Sequence, residues 1–197
     1  IRLLALPAYF YTKRVAIDES LAHKAMQPDG SVVTLINYYK RTASRWRVGG
    51  VNSYQVYSGI RRNVSAFTFL LFGAPENKIS FEEANVLQAK AYFTLHIKYW
   101  GHVCNAVVKS LALGVPVIMD KATFDRGRYG SYLKHNVNGV VLEREVDIVS
   151  YLQSGDSTGY SELKNKCMEE ACNWRLPYPI EIKDSALAFV KKSLSLT

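Results

Sequence analysis

The segment between Ser31 and Pro75 contains basic side chains and no acidic ones. This stretch has no Asp or Glu, and its basic side chains are Lys40, Arg41, Arg45, Arg47, Arg61 and Arg62. The whole chain of 197 residues carries 25 Lys and Arg against 17 Asp and Glu, a formal net charge of +8. A local block of cations favours an anionic partner: a phosphate group, a nucleic acid or a membrane surface. The alternative is a basic surface that is exposed to solvent and binds no partner.

A second group of residues suited to chemistry lies between Lys98 and Asn105, directly before a predicted helix. Gly101 lets a ligand approach the backbone closely, and the start of a helix offers unpaired amide groups and a partial positive charge. His102 could donate to a phosphate or transfer a proton, because its ordinary pKa is about 6.5. The segment therefore predicts a diphosphate site, in which Asn105 is either a phosphate contact or a plain helix N-cap.

Several signatures of common catalytic sites are absent. No Gly-x-Gly-x-x-Gly fingerprint and no P-loop ending in Gly-Lys-Ser/Thr occur, which argues against an ordinary NAD enzyme or a P-loop NTPase. Zinc-type Cys/His spacing, Asp-x-Asp pairs and nucleophilic-serine signatures are also missing. Cys104, Cys167 and Cys172 form no Cys-x-x-Cys pair, which favours a reducing compartment over a disulfide scaffold. We therefore expect a site without a metal or other cofactor.

Five short apolar runs indicate the strands that would position these residues. They span residues 32–36, 67–72, 91–95, 115–119 and 139–142. Runs that are apolar on both faces and separated by helix-length segments are typical of a parallel sheet covered by helices. We predict an α/β fold with an open, doubly wound, mostly parallel sheet. Its ligand would bind beyond the carboxyl ends of the strands.

The boundaries of the intervening helices can also be read from the sequence. Ser80 followed by Glu83 forms a capping box and predicts a helix to about Lys90. The next helix is expected over Asn105–Leu113 and is closed by Gly114. Further helices are expected at 130–135, 147–152, 161–174 and 185–194, and an extra strand could occupy 1–10.

One part of the chain resembles a known family. Residues 105–118 read Asn-Ala-Val-Val-Lys-Ser-Leu-Ala-Leu-Gly-Val-Pro-Val-Ile, and they resemble the donor-site helix and following strand of GT-B glycosyltransferases, with their Glu-Ala-Leu-Ala-x-Gly-x-Pro-Val-Ile pattern. Residues 132–142 are similar to the next stretch of that superfamily, which ends in Asn-Gly and a short strand. The resemblance covers about 34–152 and is sharp over 101–142. It implies the Rossmann-like, nucleotide-sugar-binding half of a two-domain enzyme.

The resemblance also implies roles for individual residues. Retaining members carry two glutamates eight positions apart, and the matching residues here, Gly101 and Lys109, are not acidic. Related enzymes place basic residues after the first strand on the donor diphosphate, where they stabilise the departing charge without a metal. The loop containing Glu76, Asn77 and Lys78 matches their base-binding loop. The donor-binding residues expected on this basis are Lys40, Arg41, Arg45, Asn77, Gly101, His102, Asn105 and Lys109; no catalytic residue is identified.

These observations lead to one functional hypothesis and one alternative. The hypothesis is a glycosyltransferase, or its donor-binding domain, that uses a nucleotide-sugar donor and an unidentified sugar, lipid or protein acceptor. We expect an N-terminal segment at 1–30, a donor-binding domain at 31–175 and a C-terminal linker and helix at 176–197, with the acceptor domain preceding it or on a second chain. The alternative is a non-catalytic basic module that binds nucleic acid or another polyanion, which ranks second because no RNA-binding motif is present. A cytoplasmic location is expected, with peripheral attachment to an anionic membrane as a further option.

Overall fold

A computed structural model of the chain describes residues 17, 19–36, 47–73, 75–99, 104–155, 157–171 and 173. The expected strand at 1–10 and the expected helix at 185–194 lie outside these residues. The strands are β1 (Ser31–Leu35), β2 (Arg47–Val48), β3 (Val51–Asn52), β4 (Thr68–Phe72), β5 (Phe93–His96), β6 (Val117–Asp120) and β7 (Gly139–Leu142). The helices are α1 (Glu19–Lys24), α2 (Ser53–Asn63), α3 (Phe81–Lys90), α4 (Asn105–Leu113), α5 (Lys121–Gly127), α6 (Glu145–Gln153) and α7 (Ser157–Ala171), with a 3-10 turn at Tyr129–Ser131.

Five of the strands form one parallel sheet in the order β4-β1-β5-β6-β7. The interior strand β1 pairs with β4 through Val32 opposite Phe69, and with β5 through Val32 opposite Phe93. The strands β2 and β3 form a separate antiparallel hairpin between β1 and α2. The predicted doubly wound α/β fold is therefore confirmed.

Helices cover both faces of the sheet because its strands are apolar on both sides. Val32 packs with Val56 and Ile60 of α2 on one face. Its neighbour Val33 points to the other face and packs with Ala89 of α3 and with residues of α1 and α4. This alternation follows from the two-residue repeat of a strand. The helices that follow β1 and β5 thus lie on opposite faces of the sheet.

Two predicted helix ends are confirmed. Ser80 caps α3, with its hydroxyl accepting from the backbone N–H of Glu83 at 3.0 Å. Gly114 ends α4 in the left-handed conformation, with φ 68°, and its N–H donates to the carbonyl of Leu111. A glycine adopts this conformation at low cost, which is why it is common after the last helical turn.

Other boundaries differ from the prediction. The strand expected at 91–95 begins only at Phe93, because Ala91 still closes α3. The prediction of a helix at 130–135 is wrong. A 3-10 turn occupies Tyr129–Ser131, and the side chain of Asn138 then binds the backbone of Tyr132 and Lys134 in a loop. The helices at 147–152 and 161–174 are observed as α6 and α7 with shifted ends.

Candidate functional site

The strand order places a crevice at one end of the sheet. Here the carboxyl edge denotes the end where the five parallel strands finish and helices α2 to α6 begin. The chain leaves β1 toward α2 on one face and leaves β5 toward α4 on the other. Neighbouring strands whose connections diverge in this way leave a cleft between their following loops, the usual ligand position in doubly wound sheets. The topology therefore predicts a cleft beyond β1 and β5.

Most of the predicted diphosphate contacts fall on the two loops at this cleft. Lys40, Arg41 and Arg45 follow β1, and Gly101 and His102 follow β5, but all five lie outside the described residues. Their contacts stay predictions. The described residues that remain are the start of α4, the stretch after β5 and the loop after β4.

The first turn of α4 has backbone amides without a side-chain cap. Cys104 is the N-cap residue, and its side chain makes no capping hydrogen bond. Its carbonyl accepts from Val107 and Val108, whereas the amides of Asn105 and Ala106 have no partner among the described residues. Asn105 is thus the exposed first residue of the helix and not its N-cap. Open amides at a helix start attract anions.

A buried hydrogen-bonded pair holds this helix start in place. The N–H of Cys104 donates to the hydroxyl oxygen of Tyr129 at 3.0 Å, and the same oxygen lies 3.0 Å from Nε2 of His96. Burial, with a smaller effect of Lys98, lowers the pKa of His96 to about 3, so the ring is neutral at pH 7. Because Tyr129 accepts from Cys104, its own proton is available for Nε2 of His96.

This arrangement leaves one polar atom of His96 unsatisfied. When Nε2 accepts from Tyr129, the proton of the neutral ring resides on Nδ1. That atom is buried and has no hydrogen-bond partner within the part of the chain that the structure describes. His96 was not among the predicted site residues. A histidine as the last residue of a buried strand was the available signal.

A second network fixes the stretch that follows β5. One oxygen of Asp120 accepts from the N–H of Thr123 at 2.7 Å and caps α5, and the other accepts from the hydroxyl of Tyr99 at 2.7 Å. Thr123 in turn accepts from the N–H of Lys98 at 3.0 Å. Burial, followed by the charge of Asp120, raises the pKa of Tyr99. Asp120 is itself buried, so its carboxylate serves the structure of the loop. Arg126 donates to the carbonyl of Tyr99 at 3.4 Å.

Lys109 contacts helix α3. Its ammonium lies 3.8 Å from the ring centre of Phe81 and donates to the side-chain oxygen of Asn85. Burial lowers the pKa of Lys109. A cation on an aromatic face is stabilised by the ring quadrupole. The residue that matches the second family glutamate is thus a lysine engaged by a neighbouring helix.

The loop after β4 contains the predicted residue Asn77. Its side-chain amide donates to the carbonyl of Leu71 at 2.6 Å, and its backbone pairs with Gly73 in both directions. The neighbouring Glu76 has two buried carboxylate oxygens with no partner in the described stretches. β1 separates β4 from β5, so two strand spacings, about 10 Å, lie between this loop and the loop after β5. Asn77 and Asn105 therefore follow strands that are not neighbours, and the base contact expected for Asn77 stays a prediction.

The described residues include neither a cluster of metal ligands nor a membrane-spanning helix. Across the described ranges no three His, Cys, Asp or Glu side chains come together as a metal would require. None of the helices in those ranges has the length and apolar character needed to cross a bilayer.

Comparison with known proteins gives structural neighbours and no sequence relatives. No family model matches the chain, and no curated protein matches it. The sucrose-phosphate synthase of Thermosynechococcus elongatus is similar in structure, with a TM-score of 0.56 and 11% identity over 92% of this chain and 49% of that chain. The spinosyn forosaminyltransferase SpnP gives a TM-score of 0.46 and 15% identity over 92% and 47%.

At 11% identity the likeness to the sucrose-phosphate synthase shows the fold alone. It agrees with the predicted Rossmann-like α/β class. The chain spans about half the length of the two proteins compared.

Proposed function

We propose that this chain binds a nucleoside diphosphate sugar at the carboxyl edge of its sheet and supplies the donor side of a glycosyl transfer. The observation that carries the proposal is the uncapped start of α4, which follows β5 at the carboxyl edge, where β5 is the neighbour of β1. Amides at a helix start bind phosphate oxygens through hydrogen bonds and the helix dipole together. The likeness in fold to a sucrose-phosphate synthase supports the same assignment.

The chemistry of the donor explains why such a site would be useful. Breaking the bond between the sugar and the β-phosphate leaves negative charge on the departing nucleoside diphosphate. Fixed amides and cations that face this charge stabilise it more than they stabilise the intact donor. In the proposal, Asn105 lies at the diphosphate, and Lys40, Arg41 and Arg45 approach it from the loop after β1. Gly101 and His102 line the loop after β5.

The support for α4 fits this role. His96 and Tyr129 are buried, and they fix the position of the first amide of the helix through Cys104. A neutral imidazole adds no positive charge to the site, so the two residues act by positioning. A site held by packed side chains loses little entropy when its ligand binds.

The experiment replaces Asn105 in two ways and measures nucleotide affinity by calorimetry. Asn105→Pro removes the amide proton at the first helical position, where proline is well tolerated, and Cys104 before it already has the extended conformation that precedes proline, with φ −86° and ψ 140°. Asn105→Ala removes the side chain and keeps the amide. We expect both variants to fold, and Asn105→Pro to weaken binding of UDP, GDP or ADP about tenfold, roughly one charge-assisted hydrogen bond. Asn105→Ala should have a smaller effect.

Two results would contradict the proposal. The first is a folded wild-type chain that none of the three nucleotides stabilises against heat. The second is nucleotide affinity that is the same in Asn105→Pro and wild type, which would place the phosphates away from α4.

The polyanion alternative is favoured by one specific observation. Arg61 and Arg62 are exposed in the last turn of α2, within the acid-free stretch of the sequence. Binding of a nucleic acid by such residues should weaken steeply with salt. A chain that does not retain single-stranded RNA even at low salt, while UDP still protects the fold, would exclude this alternative.

A further inference from the structure

The outer side of β4 has backbone groups that pair with none of the described residues. The N–H of Thr68 donates to the carbonyl of Gly30 at 3.2 Å, and the carbonyl of Phe72 accepts from Ile36 at 2.9 Å. Residues in a strand alternate in the side to which their backbone groups point. The backbone N–H and carbonyl groups of Thr68 and Phe72 therefore point toward β1, whereas those of Phe69 and Leu71 point away from the sheet.

The loop after β4 closes only the carboxyl end of this outer side. Gly73 exchanges two backbone hydrogen bonds with Asn77, whose side chain also occupies the carbonyl of Leu71. The N–H and carbonyl of Phe69 and the N–H of Leu71 remain without a partner among the described residues. The sequence of β4 is Thr-Phe-Leu-Leu-Phe, without the Lys, Pro or bulge that usually protects an edge strand. The carbonyl of Phe69 and the N–H of Leu71 match the N–H and the carbonyl of one residue in an added parallel strand, and the N–H of Phe69 can donate to the carbonyl of a second residue.

A groove of about 610 Å³ runs beside this edge, between β4 and α2. Its lining includes Leu71 and Phe72 from the strand and Arg61 and Arg62 from the helix. Both arginines are exposed. Arg62 acts on Glu145. Burial raises the pKa of this carboxyl group, and the positive charge of Arg62 lowers it in part. Arg61 forms no ion pair with the described residues.

We propose that an extended acidic peptide segment of a partner protein adds to β4 as a further strand, with its carboxylates directed to Arg61 and Arg62. Backbone hydrogen bonds to the edge supply affinity, and the charges select the partner. A second copy of this chain fits less well, because symmetric pairing of two β4 strands would bring both pairs of arginines together. RNA fits less well because it has no backbone to match the groups on Phe69 and Leu71.

The probe is a fluorescein-labelled, end-capped nine-residue peptide of alternating Val and Glu, and the readout is its anisotropy with the 197-residue chain. Leu71→Pro removes only an outward N–H, which an edge strand tolerates, and should weaken binding about tenfold. Arg61→Glu should weaken it by a similar factor. The matched control Lys90→Glu makes the same charge change at an exposed site at the end of α3 and should have little effect.

Two further measurements keep the test independent of how well Leu71→Pro folds. A probe with an N-methyl group at every residue cannot donate to the strand from either edge and should bind weakly to the wild type. Amide exchange at Phe69 and Leu71 should slow when the unmodified probe binds.

Three outcomes would overturn the proposal. The first is equal binding of the N-methylated and unmodified probes. The second is an octauridine that binds as tightly as the peptide and is unaffected by Leu71→Pro, which would identify a nucleic-acid surface. The third is a chain that dimerises in solution with its exchange at Phe69 already slowed, because the second copy then occupies the edge.

Discussion

His96 is a titratable residue that the fold keeps uncharged. Burial lowers its pKa from the ordinary 6.5 to about 3. In this interval the unfolded chain binds a proton that the folded chain does not, so the free energy of unfolding falls as the pH falls from 6.5 toward 3. The slope reaches at most about 1.4 kcal/mol per pH unit for one such group. Acidification therefore acts on the same residue that positions the start of α4.

His96→Gln should reduce this sensitivity to acid. Glutamine cannot take up the proton, and its side-chain oxygen can still accept from Tyr129. We expect urea denaturation to show a shallower loss of stability between pH 6.5 and pH 4 in the variant than in the wild type. His23→Gln is the matched control, because His23 is exposed in α1. Equal pH dependence of wild type and His96→Gln would show that the imidazole does not carry this effect.

Single residues were predictable where their role is local. Ser80 and Gly114 act within one helical turn, and the sequence signals both. His96 and Asp120 act through partners 33 and 21 positions away, respectively. Their roles depend on which strands become neighbours, and no local pattern reports that. The two carboxylate oxygens of Asp120 accept hydrogen bonds from Thr123 and Tyr99.

Strands were predicted better than helices because their signal is strong. All five apolar runs became strands of the parallel sheet. Helix α2 was missed although Asn52 and Gln55 form a reciprocal capping box at its start. Ser and Gly in its interior lower the helix propensity, although its buried residues Val56, Tyr57 and Ile60 recur at helical spacing. The strand order could not be predicted, because apolar runs of similar composition do not specify their neighbours.

The junction of β6 and β7 provides a test at the level of elements. A Cβ atom at Gly139 would clash with the backbone carbonyl of Val117 and with the side chain of Leu133. Backbone cannot move aside without separating the two strands, so Gly139→Ala should destabilise the fold by about 2 kcal/mol or more. Gly130→Ala is the matched control, since its Cβ would meet only Phe124 at 3.9 Å. Thermal unfolding measures both, and equal melting temperatures of the two variants would contradict the expectation.

At the scale of the whole molecule, the distribution of charge was predictable and its placement was not. The acid-free stretch is visible in the sequence, and its described part puts Arg61 and Arg62 on the groove beside β4. The proposed donor site lies elsewhere, at the cleft between β1 and β5. Basic residues from one stretch of the sequence are thus assigned to two proposed surfaces, whereas the sequence alone suggested a single surface.

The last prediction concerns what the chain can do alone. It spans about half the length of the sucrose-phosphate synthase it resembles in fold, and its proposed donor cleft opens at one edge of a single sheet. Transfer requires an acceptor positioned against the donor and a site that excludes water. We therefore expect the 197-residue chain to bind a nucleotide sugar in calorimetry yet to form little transfer product by mass spectrometry. Rapid transfer to a simple acceptor by this chain alone would show that it contains the acceptor side as well.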